Sequence, residues 1–244
     1  MPETASTAPS AAPTPANNVV LVHGAYADGS SWAGVIALLQ EAGMKVTAVQ
    51  NPLTSLEDDA AATRRALDLQ DGPTVLAGHS WAGTVISETG THENVTALVY
   101  VAARAPEAGE DYAALAATFP TPPANAGLTH SAAGFAQLSE EAFLADFANG
   151  VDPAQAKVLY AVQGPISGTL FASRTTAAAW QDKPCWYAIS RNDRTTSPEL
   201  EHFLADRMNA TKIELDSGHL SLVTHPREIA DLILAAAGRT PSAS

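Results

Sequence analysis

With 244 residues, 46% of them hydrophobic, the chain is long enough for one sizeable domain with a proper core. Thirteen Lys and Arg against twenty-six Asp and Glu give a formal charge of −13, which opposes binding to nucleic acid or an anionic membrane and favours neutral or cationic ligands. No apolar run is long enough to cross a bilayer, and the single cysteine, Cys185, excludes an intramolecular disulfide or a cysteine-rich metal site and reads as a buried strand thiol.

Residues 1–17 are rich in Ala, Pro, Ser and Thr and lack the basic start and apolar centre of a signal peptide. They read as a flexible arm, on a soluble chain that is cytoplasmic unless an upstream signal was removed, in which case it is secreted or periplasmic. Asn18–Val22 is a continuous β-branched and leucine run, the pattern of a strand buried on both faces. The loop His23-Gly24-Ala25-Tyr26-Ala27-Asp28-Gly29 follows, in which His23 is expected to order the turn. Ser30 or Ser31 then caps a helix that ends at Gly43. Lys45–Val49 is a second strand, broken by Pro52. Thr54 or Ser55 caps an amphipathic helix running to Leu69, with Glu57, Asp58 and Asp59 in its first turn where the helix dipole favours anions.

Residues 74–83 read T-V-L-A-G-H-S-W-A-G. An abrupt strand-to-helix turn strains the backbone of the corner residue, so the positions two away on each side must be small. Gly78 and Ala82 meet that need around Ser80, with Ala82 one methyl away from the common G-x-S-x-G. Such a nucleophile elbow lifts the Ser80 hydroxyl above the sheet and aims the Trp81 N–H at an oxyanion. The same six residues also suit a plain glycine-bounded turn, and the context decides between the two.

Val95–Val101 is another buried strand, and the alternation so far implies a right-handed parallel sheet covered on both faces. Residues 104–180 interrupt the rhythm and read as a mostly helical cap, with helices expected over 139–148 and 153–162 and aromatic residues available to line a pocket. The alternation resumes with a strand over 184–190, the loop Arg191-Asn192-Asp193-Arg194, a Ser197-capped helix, a strand over 212–215, the turn Asp216-Ser217-Gly218-His219 and a last helix over 226–237. The division is therefore an arm (1–17), a core (18–103 and 181–238), a cap (104–180) and a short tail (239–244).

Loops after the carboxyl ends of parallel strands gather on one edge, where ligands bind. Ser80, Asp193 and His219 each sit in such a loop, in the chain order Ser, Asp, His. A serine hydroxyl needs a base to take its proton during attack, imidazole can accept and return that proton, and a carboxylate fixes the imidazole tautomer. Asp216 is an alternative acid close to His219 in sequence; motif context favours Asp193. The second oxyanion donor is expected from the loop after the first strand, at the Ala25 N–H. Tyr26, Trp81, Phe119 and Leu220 are candidates for the substrate pocket.

Four segments carry a wider likeness: V-L-V-H-G-A-Y-A-D-G-S-S-W at 20–32, A-G-H-S-W-A-G at 77–83, S-R-N-D-R-T at 190–195 and D-S-G-H-L-S-L at 216–222. On these the chain resembles the α/β-hydrolase superfamily, and within it bacterial esterase-like proteins related to plant methyl esterases and hydroxynitrile lyases. The resemblance implies a six-stranded parallel sheet, a helical cap over Ser80, no cofactor, a small-molecule ester substrate and often a homodimer. Lyases of this branch carry Thr directly after the loop histidine and Lys directly after the triad histidine. Gly24 and Leu220 stand there, which disfavours cyanohydrin cleavage and leaves hydrolysis of small, neutral, fairly apolar esters through an acyl-enzyme. The alternatives are lactone hydrolysis, peracid formation or cofactor-free C–C cleavage by the same triad, or a receptor-like binding protein on the same fold.

Overall fold

The computed structural model describes residues 15–240. Six parallel strands form one sheet: β1 Asn18–Val22, β2 Lys45–Val49, β3 Thr74–His79 and β4 Val95–Val101 from the first half, then two more after the insertion. The sheet order runs from β2 through β1 and β3 to β4, and continues with the strands Cys185–Ser190 and Thr211–Leu215. The β1, β3 and Cys185–Ser190 strands are buried along their whole length, whereas the two outermost strands are partly exposed. Continuous apolar runs therefore became central strands, as two-sided burial requires.

Helices α1 Ala33–Glu41, α2 Leu56–Asp68 and α3 Ala82–Thr89 follow the first three strands. α1 ends at Gly43, whose φ of +78° a side chain would strain. Ser55 caps α2 by accepting the Asp58 N–H at 3.0 Å. The first helix starts differently from expectation. A 3₁₀ turn, Gly29–Trp32, precedes α1, and its cap is Asp28, which accepts the Ser30 N–H at 2.9 Å. Ser31 instead donates to the Asp28 carbonyl at 2.8 Å, so neither serine caps.

The insertion carries three short α-helices, α4 Tyr112–Ala116, α5 Glu140–Ala142 and α6 Pro153–Ala161, joined by turns and irregular chain, and so is less helical than expected. The segment expected as one helix over 139–148 changes pitch: α5 passes into a π turn, Phe143–Phe147, that buries Phe143 and Phe147. The insertion also holds a three-stranded antiparallel sheet, β5 Leu128–His130, β6 Phe135–Leu138 and β7 Ile166–Ser167. Asp146 joins the insertion to the core through Arg194 at 2.7 Å. Glu88 at the end of α3 accepts the Thr176 N–H at 2.7 Å.

Beyond the insertion come β8 Cys185–Ser190, α7 Pro198–Arg207 capped by Ser197, β9 Thr211–Leu215, the short α8 Ser221–Thr224 and α9 Pro226–Ala236. α1 packs on α9, and α2 packs on α3. Of the expected arm, residues 1–14 lie outside the described residues, as do 241–244 of the tail. Ala16 and Asn17 belong to the fold: the Ala16 N–H donates to Ala237 O at 3.0 Å, and Asn17 O accepts the Lys45 N–H at 2.8 Å. Cys185 is buried as expected, and burial pushes its thiol up to about 12. Among the described residues, no helix is long and apolar enough to cross a membrane.

Gly83 sets how closely α3 can approach the loop after β4, because a Cβ there would run into the backbone carbonyl of Arg104. Gly83→Ala is expected to lower stability by about 1–3 kcal/mol through overpacking against main chain, measured as a lower urea midpoint with an unchanged m-value.

Candidate active site

Ser80 occupies the corner between β3 and α3 with φ +55°, a left-handed conformation that a non-glycine residue adopts only under constraint. The constraint is visible atom by atom. The Ser80 N–H donates to Val101 O at 3.1 Å, while the Ser80 carbonyl accepts from Gly83 N at 3.0 Å and Arg104 N at 3.1 Å. On the other side Gly24 lies so near that a Cβ would sit 2.8 Å from the Ser80 Cβ. A Cβ on Gly78 would likewise sit 2.9 Å from the Ala82 carbonyl oxygen, whereas Ala82 is itself accommodated and fully buried.

The His219 Nδ1–H donates to Asp193 Oδ2 at 2.5 Å, with both side chains withdrawn from solvent. The other Asp193 oxygen accepts the backbone N–H groups of Thr195 at 2.6 Å and Thr196 at 2.9 Å. Three donors thus hold the carboxylate in one orientation. With Nδ1 donating, Nε2 keeps the lone pair, and it is buried without a hydrogen-bond partner. Ser80 Oγ makes no hydrogen bond to the imidazole; such a link often tightens only when a substrate is bound. Asp216 is turned away: its side chain is 74% exposed and accepts from Asn192 Nδ2 at 2.8 Å.

Two further histidines serve the backbone. The His79 ring donates from Nε2 to the His219 carbonyl at 3.0 Å, and its centroid lies 4.7 Å from that of His219. Burial, then the neighbouring imidazole, holds His79 well below the usual histidine value. His23 accepts the Asn51 N–H at Nε2, 2.8 Å away, and donates from Nδ1 to Gly24 O at 2.8 Å, which fixes the loop as the sequence suggested. Burial pushes its value down as well. Among the remaining histidines, His92 pairs with Asp68 at 3.1 Å and His202 lies 3.9 Å from Glu214, both on the surface.

A cavity of about 370 Å³ opens above Ser80, walled by Ala25, Tyr26, Trp81, Arg104 and apolar residues of the insertion. The Ala25 and Trp81 N–H groups, the expected oxyanion donors, donate to no protein acceptor among the described residues. Tyr26 and Trp81 line the cavity. Phe119 does not: its ring packs on Phe203 of α7 at 5.4 Å, because the cavity wall turns inward at Ala116, Ala117 and Pro120 around it. Leu220 is also outside this cavity; it is buried and borders a much smaller one with Tyr26 and Phe147. Asp59, expected in the first turn of the helix where the dipole favours anions, is fully buried and accepts the Trp81 indole N–H at 2.8 Å and the Leu53 N–H at 2.8 Å. Its place on the Leu56–Ala60–Thr63–Leu67 face of α2 was the available signal. Among the described residues, no cluster of three or more His, Cys, Asp or Glu side chains is arranged to hold a metal ion.

The model of the alpha/beta hydrolase family matches residues 19–232, and the chain belongs to that family. No curated protein matches the sequence. Among solved structures it is similar to polyneuridine aldehyde esterase, with 18% identity over 90% of this chain and 98% of the other at a TM-score of 0.76. A pyrethroid hydrolase from Sphingobium faniae is 20% identical over 91% and 98% of the two chains, with a TM-score of 0.73. An extracellular alpha/beta-hydrolase from a Paenibacillus species is 21% identical over 90% and 98%, also at 0.73. At these identities the likeness establishes the fold.

Behind Asp193, Glu201 of α7 is completely buried and accepts the Ser190 N–H at 2.9 Å. Burial first, and the Asp193 charge second, hold its carboxyl well above the usual carboxylate range. A raised carboxyl binds its proton more tightly in the folded chain than in the unfolded one, so its effect costs nothing at low pH and grows as pH rises toward the folded value. Glu201→Gln keeps an acceptor for Ser190 and removes the ionisation. Its stability relative to the parent chain is therefore expected to be greater at pH 8.5 than at pH 5.5, by urea unfolding. Glu201→Leu strands the Ser190 N–H and is expected to lose about 1–3 kcal/mol at pH 5.5, a deficit that narrows at pH 8.5 because the ionisation is removed here too.

Proposed function

We propose that the chain is a serine hydrolase that cleaves small, fairly apolar carboxylic esters through Ser80, His219 and Asp193. The single observation that carries this reading is the strained Ser80 at the floor of the cavity, backed by a buried imidazole whose Nδ1 is held by Asp193 and whose Nε2 is unengaged. Ser80 Oγ attacks the ester carbonyl carbon while His219 Nε2 takes its proton. The carbonyl π electrons move to oxygen, and the oxyanion is received by the Trp81 and Ala25 N–H groups. Collapse breaks the C–O bond, His219 returns the proton to the departing alkoxide, and an acyl-Ser80 ester remains. Water then gives a proton to His219 and its oxygen to the acyl carbon, which frees the acid and restores the serine. The fold shared with polyneuridine aldehyde esterase and an Arabidopsis methylesterase supports the ester as the bond attacked. The largely apolar cavity wall supports a modest, uncharged reacting end.

Lactone hydrolysis, perhydrolysis and C–C cleavage would use the same groups, and identification of the products from a substrate panel separates them. Ser80→Ala is expected to reduce kcat on 4-nitrophenyl acetate and butyrate by at least about 10³-fold, and to abolish labelling by a fluorophosphonate probe. Equal turnover by parent and variant would overturn the reading; tight ligand binding without turnover by the parent would favour the receptor-like alternative.

A further inference from the structure

Arg104 is the one charged side chain among the described residues lining the cavity above Ser80. Its guanidinium is stacked on aromatic rings, with Cζ 4.0 Å from the Tyr112 centroid and 5.3 Å from those of Trp81 and Phe171. Contact with the π faces of rings uses none of the five N–H donors that the guanidinium carries. Those donors are nearly unused. Nη2 donates to Phe171 O at a long 3.4 Å, Nε is buried without a partner, and among the described residues no carboxylate pairs with the group. The ordinary solution for a withdrawn arginine is a carboxylate from its own chain. The acids of this region are engaged elsewhere: Glu110 pairs with Arg207 at 2.7 Å, and Glu201 receives the Ser190 N–H.

The backbone beneath the side chain is equally fixed. Ala102 has φ +45°, Tyr187 Oη donates to Ala103 O at 2.6 Å and accepts the Ala103 N–H at 2.9 Å, and the Arg104 N–H is bonded to the Ser80 carbonyl. A rigid, solvent-poor cation with unfilled in-plane donors therefore shares a chamber with the nucleophile.

We propose that Arg104 is the recognition site for a carboxylate on the substrate, so that the preferred ester carries an anionic carboxyl group at the end remote from the bond that is cleaved, as in a half-ester of an aliphatic dicarboxylic acid. This rests on the esterase reading for the reacting end. A planar monoanion suits one guanidinium edge, whereas a phosphate dianion would need further cations or a helix N-terminus, and no second cation lines the cavity. The field of the net charge of −13 is screened over a Debye length of about 8 Å at physiological ionic strength, so surface charges farther than that from the chamber do not decide its selectivity.

The test compares mono-4-nitrophenyl adipate with 4-nitrophenyl hexanoate, which have acyl chains of equal length and differ in the terminal carboxylate. The parent enzyme is expected to show the higher kcat/KM on the adipate, and Arg104→Gln to reduce the adipate-to-hexanoate ratio by roughly 10- to 100-fold, with Arg104→Lys recovering part of it. A binding arm needs no turnover: on the Ser80→Ala protein, monomethyl adipate should raise Tm more than neutral dimethyl adipate, and Arg104→Gln should erase that difference. No preference for the monoanion in either arm overturns the proposal without any variant, and shows that the arginine only packs the rings. Selective binding of the monoanion with no hydrolysis of either nitrophenyl ester would leave the arginine site standing and overturn the esterase reading instead.

Discussion

Backbone strain at one edge of the sheet, and the hydrogen bonds that hold it, is the constraint on which the site depends. Five non-glycine residues among those described have positive φ, and four of them, Tyr26, Leu53, Ser80 and Ala102, follow the carboxyl ends of β1, β2, β3 and β4. Such conformations cost on the order of 1–3 kcal/mol each and persist only where the surroundings over-determine them. Here they do. The Ser80 carbonyl receives two N–H groups, Tyr187 clamps both backbone polar atoms of Ala103, and the Leu53 N–H ends on the buried Asp59. Each bend turns the chain back over the sheet edge instead of continuing the strand, and so creates the floor on which the cavity stands.

The central strands were legible because two-sided burial leaves an uninterrupted apolar run, and the Ser80 corner because few residue types fit its close approaches. Asn18–Val22, Lys45–Val49 and Val95–Val101 begin and end where the composition places them. Chain order and the strand-end rule paired Asp193 with His219 without any knowledge of distances, and the two are hydrogen-bonded. The loop at Asp28 was less legible: aspartate and serine compete for the same capping role, and a 3₁₀ turn shifts the cap by a residue or two.

The insertion shows why local sequence says less about pockets. β5 to β7 are two to four residues long and carry too little periodicity to be seen, and they hold together through pairing with one another and through the Ser167 N–H to Leu53 O bond. Phe119 looked as suited to a pocket as Phe171, yet one packs on α7 and the other lines the cavity. Arg104 lies in the stretch A-A-R-A-P, which says nothing of whether a carboxylate will meet it. That depends on residues such as Glu110, brought near by the fold and engaged by Arg207.

The polar groups packed near the Asp193–His219 pair share one property: each is hydrogen-bonded to backbone and not to the His219 ring. His23 is committed at both nitrogens, His79 gives its Nε2 proton to the His219 carbonyl, and Glu201 is turned toward Ser190. Burial disfavours the charged form of all three, and their direction of shift is the neutral one in each case. In the proposed reaction a neutral shell matters because a second cation near the imidazole would oppose the charge gained on taking the serine proton. With those neighbours neutral, Asp193 is the one carboxylate bonded to the ring, and Nε2 of His219 is left without a partner.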